Sequence, residues 1–149
     1  GLCGEDVGLN IFKPRYFHIS GEDRGRIADP TSKVRVRAEK GQRVLIRMLN
    51  AAYSVMRIKI HGMEFECVSM DGHCFIDPDK PWLGAYGYEV GEEIMLATAQ
   101  RFELWFDTTN MEKGSYRVDF EFIDWVKKTP HNLGQGPYEG KATTYIDIV

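Results

Sequence analysis

The stretch GQRVLIRMLNA, residues 41–51, joins a turn to a strongly apolar strand pattern. Its first two residues interrupt the chain, because glycine is a strong turn signal. Residues 43–49 are rich in aliphatic side chains and predict a mostly buried strand. On either side, residues 33–38 and 55–60 alternate apolar and cationic side chains, which is typical of a strand between a core and water. These neighbouring segments together predict a β-sheet protein.

The same alternation recurs along most of the chain. Further strands are predicted at residues 16–20, 63–67, 93–96, 102–107, 116–122 and 142–149. Short strands separated by turn signals favour an all-β, antiparallel sandwich or barrel. The helix candidates are short, at residues 50–53 and 108–113. Residues 20–32 and 127–141 are expected to be loops. The second is long for an unstructured connection, so it is expected to be a mobile surface insertion.

Length and charge exclude several classes of protein. The chain has 149 residues, enough for one domain. It carries 19 basic and 22 acidic residues, a net charge of -3, so no overall positive field attracts nucleic acid. No apolar run approaches the roughly 20 residues of a membrane-spanning helix. Because the sequence begins with glycine and shows no signal-peptide pattern, we interpret residues 1–149 as a single domain taken from a longer protein.

The three cysteines, Cys3, Cys67 and Cys74, leave the redox compartment open. An odd number cannot pair completely within one chain, and no C-x-x-C pair suggests structural zinc. A bridge between Cys67 and Cys74 is one alternative. Three unpaired thiols are the favoured interpretation, since unpaired cysteine is among the most buried side chains.

Several motifs follow one another in a definite order. The stretch at residues 41–51 precedes IHGMEF at residues 60–65 and the Asp-Gly turn of SMDG at residues 69–72. This order resembles the cupredoxin domains of multicopper oxidases. Weaker likeness extends it over roughly residues 16–123, although Ser20 stands where the family has asparagine. The added segments are residues 16–21, 97–104 and 114–116. The resemblance implies a Greek-key β-sandwich and copper chemistry in the parent protein.

The family's blue-copper ligands can be followed residue by residue. A cysteine thiolate flanked by two histidines suits copper, and it lies on the strand that begins with glycine-X-aromatic. Asp119, Phe120 and Glu121 stand at those three positions here. The family's His-x-His-Gly keeps only His61, since Lys59 holds the other place. Alternation places Phe120 on the core side of its strand. We therefore expect no copper ligand, cofactor-binding residue or catalytic residue, and a hydrogen-bonded structural role for His61.

Other sulfur and imidazole groups leave an alternative open. A small copper or zinc site would use His61, Cys67, His73 and Cys74. Against it, alternation points Cys67 inward, whereas His73 and Cys74 follow an exposed turn. The two other histidines, His18 and His131, are expected to be ordinary surface or strand residues. The remaining positions that the resemblance marks are expected to be structural: Arg43, Arg47, Asn50, Asp71, Gly72 and Arg101.

The resemblance is strongest to the middle domain of three-domain multicopper oxidases, which ligates no copper itself. It implies a scaffold domain whose partners are neighbouring cupredoxin domains. It also implies an extracytoplasmic parent protein that couples oxidation of a substrate to reduction of dioxygen, with the copper held outside this chain. The chain alone is then not an enzyme. A free-standing β-sandwich that binds a partner through residues 127–141 is the rival interpretation.

Overall fold

The computed structural model describes residues 12–75, 79, 86–88, 90–132 and 139–149. In this part of the chain it forms thirteen β-strands and no helix. The strands are β1 (His18–Ile19), β2 (Glu22–Asp23), β3 (Val36–Ala38), β4 (Arg43–Leu49), β5 (Val55–Ile60), β6 (Phe65–Met70), β7 (His73–Cys74), β8 (Tyr86–Tyr88), β9 (Glu93–Leu96), β10 (Arg101–Asp107), β11 (Gly114–Asp124), β12 (Thr129–Pro130) and β13 (Lys141–Ile148).

Two sheets form the body of the protein. One has the order β4-β10-β6-β7, and β8 also pairs with β6. The other has the order β3-β13-β11-β5-β9, and β12 also pairs with β11. All these pairs are antiparallel except β3 with β13. Neighbours in a sheet are mostly distant in sequence, as a sandwich with crossed connections requires. The predicted all-β sandwich is confirmed.

Alternation along each strand separates the core from the outer faces. Phe102, Leu104 and Phe106 of β10 are buried, as are the alternate residues of β5 and β13. On the outer faces, opposite charges face each other across the strands. Arg47 of β4, for example, lies opposite Glu103 of β10, with 3.0 Å between Nε and Oε1. Because these pairs are solvent-exposed, they set the register more than they stabilise the fold.

Two tight turns need unusual backbone angles. Met70 pairs with His73, so Asp71 and Gly72 alone connect β6 to β7, with φ of 51° and 82°. Both central residues of a type I′ turn have positive φ, which suits this Asp-Gly pair. The first hairpin, β1–β2, has a two-residue turn of the same kind, in which Ser20 has a φ of 50°. The Asp-Gly turn predicted from the sequence is therefore found.

Three expectations from the sequence are wrong. The helix candidates at residues 50–53 and 108–113 are bends and turns, because side chains of Asn50 and Asp107 accept backbone N–H groups two residues further on. The described part of residues 127–141 is not an unstructured insertion, since β12 pairs with β11. Residues 43–49, expected to be a mostly buried strand, form the end strand of their sheet, and none of them is buried. Phe120 faces inward, as expected, and packs half-buried against the core.

Candidate functional site

The positions that would carry copper ligands lie on neighbouring strands. Asp119 of β11 pairs directly with Lys59 of β5, and His61 follows the end of β5. His61 Nε2 lies 2.7 Å from Asp119 Oδ2. Thr143 of β13 donates a hydrogen bond of 2.7 Å to the other carboxylate oxygen. Both oxygens of Asp119 are therefore bonded within the sheet.

Electrostatics keep this carboxylate ionised. Burial alone would raise the pKa of Asp119, but the hydrogen bonds from Thr143 and His61 and the charge of Arg117 together lower it. Arg117 Nη2 is 3.1 Å from Asp119 Oδ2. The result is a hydrogen-bonded cluster on the outer face of the sheet, with His61 held by a carboxylate. This geometry agrees with a structural His61, which remains a prediction.

The side chains at the other two expected ligand positions, Glu121 and Phe120, also have partners within the domain. The Glu121 carboxylate forms an ion pair with the guanidinium of Arg57, its cross-strand partner on β5. Phe120 points between the sheets, and its phenyl ring has no nitrogen, oxygen or sulfur atom that could bind a metal. A blue-copper centre needs a thiolate with two imidazoles. Asp119, Phe120 and Glu121 do not fit that requirement.

The alternative sulfur and imidazole site is not brought together. Cys67 faces the core and its Sγ lies 3.4 Å from the Ser69 carbonyl oxygen. Burial raises the pKa of the Cys67 thiol, which disfavours the thiolate that binds metals. His73 and Cys74 lie exposed on β7, and no disulfide joins Cys67 to Cys74. Among the described residues, no three or more histidine, cysteine or acidic side chains form a group suited to a metal ion. Cys3 lies outside the described residues.

The residues expected from the resemblance to be structural form ion pairs and hydrogen bonds between strands. Arg43 and Arg47 form cross-strand ion pairs with Asp107 and Glu103. Asp71 Oδ1 accepts a hydrogen bond from the backbone N–H of Arg101, 2.9 Å away, and so joins the β6–β7 turn to β10.

The described part of the chain contains no helix able to span a membrane.

A buried polar cluster connects three separate segments, and sequence reasoning missed it. The side-chain amide of Asn50 donates to the carbonyl oxygens of Ser54 at 2.7 Å and Leu96 at 2.9 Å. The Ser54 hydroxyl lies 2.9 Å from His131 Nε2. His131 is only 3% exposed, so the expectation of an ordinary surface or strand histidine is wrong. Ser54 and His131 are 77 positions apart, so no local sequence pattern could have indicated this hydrogen bond.

His131 packs against two aromatic rings, and the carboxylate of Asp124 lies nearby. The ring centroids of Phe12 and Phe17 lie 5.5 and 6.1 Å from its own. Nδ1 is 4.0 Å from Asp124 Oδ2. Burial lowers the pKa of His131, the charge of Asp124 opposes this, and the charge of Lys127 adds to it. The neutral imidazole is therefore the form that the folded protein favours.

This burial predicts a loss of stability in weak acid. The unfolded imidazole titrates near its ordinary pKa of 6.5. Because the folded value is lower, stability is complete above about pH 6.5 and falls below it, where the unfolded chain binds the additional proton. We expect the melting temperature to decline between about pH 7 and pH 5, before most carboxylates titrate. Thermal melts across this range would measure the decline.

The matched variants are His131→Gln and His18→Gln, since His18 is exposed. His131→Gln is expected to have a lower melting temperature at neutral pH and a flatter pH dependence, whereas His18→Gln keeps the slope of the original protein. Equal slopes in all three proteins would contradict the assignment of this pH dependence to His131.

A cavity of about 520 Å³ lies between the two sheets. Its walls include Ile46 and Leu104 from one sheet and Ile58, Phe120 and Ile146 from the other. Cavities of about 300–1,000 Å³ with mostly apolar walls are typical of small-molecule sites. Sequence reasoning missed this cavity as well, because it depends on the spacing between the sheets.

No protein-family model matches the sequence, and no curated protein matches it. Solved structures do match. The blue copper oxidase from Nitrosomonas europaea gives a TM-score of 0.55 at 16% identity, covering 80% of this chain and 32% of that chain. Fet3p, a multicopper oxidase that functions in iron import, gives 0.55 at 17% identity, covering 74% and 18%. The 2F4 variant of McoA multicopper oxidase from the hyperthermophile Aquifex aeolicus gives 0.52 at 14% identity, covering 91% and 27%.

These likenesses concern the fold. Together with the two-sheet topology, they show a cupredoxin-like β-sandwich of the kind that multicopper oxidases contain. The resemblance first seen at residues 41–72 is thereby confirmed as a resemblance of structure. The chain spans 18% to 32% of the length of these three proteins.

Proposed function

We propose that this chain is a scaffold domain of a larger multicopper oxidase and ligates no copper itself. The observation that carries the proposal is the replacement of the expected ligand set on β11. Asp119 is bonded to His61 and Thr143, Glu121 is paired with Arg57, and Phe120 points between the sheets. A domain that keeps the fold while using these positions for sheet contacts acts through its shape and surface.

Copper in this proposal belongs to the parent protein. The domain's partners are neighbouring cupredoxin domains of the same polypeptide, and the parent couples oxidation of a substrate to reduction of dioxygen in an extracytoplasmic compartment. The chain covers only 18% and 32% of two of the matched oxidases, which supports a multidomain parent. On this proposal residues 1–149 form one domain, and the chain by itself has no catalytic activity.

An exposed aromatic cluster supports contact with a neighbour. Tyr53 and Trp125 are 57% and 43% exposed, and their rings meet edge to face at 6.3 Å. The ring centroid of Phe12 lies 5.4 Å from that of Tyr53, and Val126 is exposed beside Trp125. Apolar groups that cluster at a surface mark interaction sites more often than isolated ones do. We assign this cluster to the face that meets the next domain.

The sequence of the complete gene tests the scaffold role directly. Flanking cupredoxin domains with His-Cys-His motifs would support it. An open reading frame with a single sandwich would contradict it and favour a free-standing binding module.

Copper retention gives a second test at the level of the protein. After incubation with Cu(II) and desalting, we expect much less than one copper per chain and no intense blue absorption, because that band needs a copper–thiolate bond. Metal analysis and visible absorption would measure both. Weak binding at single histidines agrees with the proposal. One tightly held copper, lost in both His61→Ala and Cys67→Ser but kept in His18→Ala, would instead identify a small metalloprotein.

A further inference from the structure

The sandwich is open along one side. β3 and β4 are the edge strands of their sheets, and only residues 39–42 connect them. These two sheet edges therefore lie on the same side of the sandwich. The inward residues of β4, which are Val44, Ile46 and Met48, are half-exposed. The inward residues of the adjacent strand β10 are buried. Close packing therefore ends at β4, and the cavity between the sheets begins there.

The inner wall of this cavity is mostly apolar. The polar residues among the buried lining are Asn50, Ser54 and Thr144, and all three bond within the protein. In the described part of the chain, every buried side-chain nitrogen and oxygen has a partner. A polar ligand would lose water hydrogen bonds and find few groups free to replace them. The wall therefore selects an apolar chain or ring.

The mouth of the cavity has the opposite character. Its exposed lining residues include Lys33 and Arg47, and the lining includes no acidic side chain. Arg47 is already paired with Glu103. Within the described residues, no carboxylate lies within ion-pair distance of the Lys33 ammonium group, and Glu22 instead accepts bonds from Ser32 and the Lys33 backbone. Lys33, whose charge also helps to lower the pKa of Glu22, thus stands among the exposed residues that line the cavity.

We propose that this cavity binds a straight-chain carboxylate of the fatty-acid type, with its alkyl chain between the sheets and its carboxylate beside Lys33. Burial of the alkyl chain supplies most of the binding free energy. The exposed ion pair adds little affinity but fixes the orientation of the ligand. This binding does not depend on the proposed scaffold role, because it uses only residues of this chain.

Calorimetric titration of the 149-residue chain with decanoate, and with decanol as the uncharged analogue, tests the proposal. We expect saturable binding of decanoate at one site. Ile46→Trp places a large ring in the cavity and should weaken binding by at least about tenfold. Leu45→Trp, on the outer face of the same strand, should change it by less than about twofold. Lys33→Ala should weaken the binding of decanoate by about threefold and leave the affinity for decanol unchanged.

Three results would overturn the proposal. One is the absence of saturable decanoate binding by the folded chain. Another is an equal effect of Ile46→Trp and Leu45→Trp. The third is an equal effect of Lys33→Ala on decanoate and decanol. If decanoate does not bind and sedimentation shows self-association that Ile46→Trp abolishes, a second copy of the chain occupies the cavity instead. Should Ile46→Trp fail to fold, Met48→Phe replaces it, with Leu45→Phe as the outward control, because Leu45 does not line the cavity.

Discussion

Replacing Asn50 with alanine is expected to lower the free energy of unfolding by about 3 kcal/mol or more. The change leaves the carbonyls of Ser54 and Leu96 without their donor and the N–H of Ala52 without its acceptor. A buried polar group that loses its partner costs about 1–3 kcal/mol. The three bonds together join the end of β4 to the start of β5 and the end of β9. Urea denaturation, monitored by circular dichroism, would give the difference.

Two further variants sharpen this test. Asn50→Asp has almost the same size and keeps the acceptor for Ala52, but it loses both donors and places a charge against carbonyl oxygens. We expect it to destabilise the protein at least as much as Asn50→Ala. Asn110→Ala removes an exposed asparagine and should change the free energy of unfolding by at most about 0.5 kcal/mol. If Asn50→Ala were no more harmful than Asn110→Ala, the buried hydrogen bonds would not hold these segments together.

Phe122→Ala is expected to cost about 3–5 kcal/mol, the usual range for deleting a buried phenyl ring. Phe122 is 5% exposed and its ring centroid lies 4.8 Å from that of Phe17. Phe120→Ala, two residues away on the same inward face, should cost roughly half as much, because Phe120 is only half-buried and loses fewer contacts. Parallel urea denaturation of both variants measures this ratio.

The outward control on the same strand is Glu121→Ala. Its ion pair with Arg57 is partly exposed, so we expect a cost of about 1 kcal/mol or less. If Phe120→Ala were as costly as Phe122→Ala, the ring would be fully packed and the cavity would be smaller than described. If all three variants had similar small effects, the inward and outward assignment of β11 would be wrong.

Much of the fold follows from local patterns. The bounds of β4, β5 and β10 were predicted to within one residue. The β5 prediction rested on alternating apolar and charged side chains, and the β4 prediction on a run of aliphatic residues. The expected burial of β4 was wrong, because β4 is the end strand of its sheet. The Asp71-Gly72 turn was predicted because Asp-Gly is a turn dipeptide, and both residues have positive φ in the structure. The expectation that Asp119, Phe120 and Glu121 stand in place of copper ligands rests on the family resemblance and remains a prediction.

The helix candidates show where local reasoning fails. Residues 50–53 lack strand alternation and so resembled a short helix. The side chain of Asn50 instead accepts the N–H of Ala52 and donates to two distant carbonyls. Tertiary hydrogen bonds therefore overrode the local propensity, which is weak over a segment this short.

The sequence by itself determined most of the longer strands, the Asp71-Gly72 turn and most inward and outward faces, because each depends on residues close together in the chain. Only the tertiary structure decided which distant groups meet. His131 bonds to Ser54 across 77 positions, and His61 to Asp119 across 58. The cavity likewise depends on how far apart the sheets lie at β3 and β4. Periodicity states which way a side chain faces, whereas packing between sheets decides what it faces.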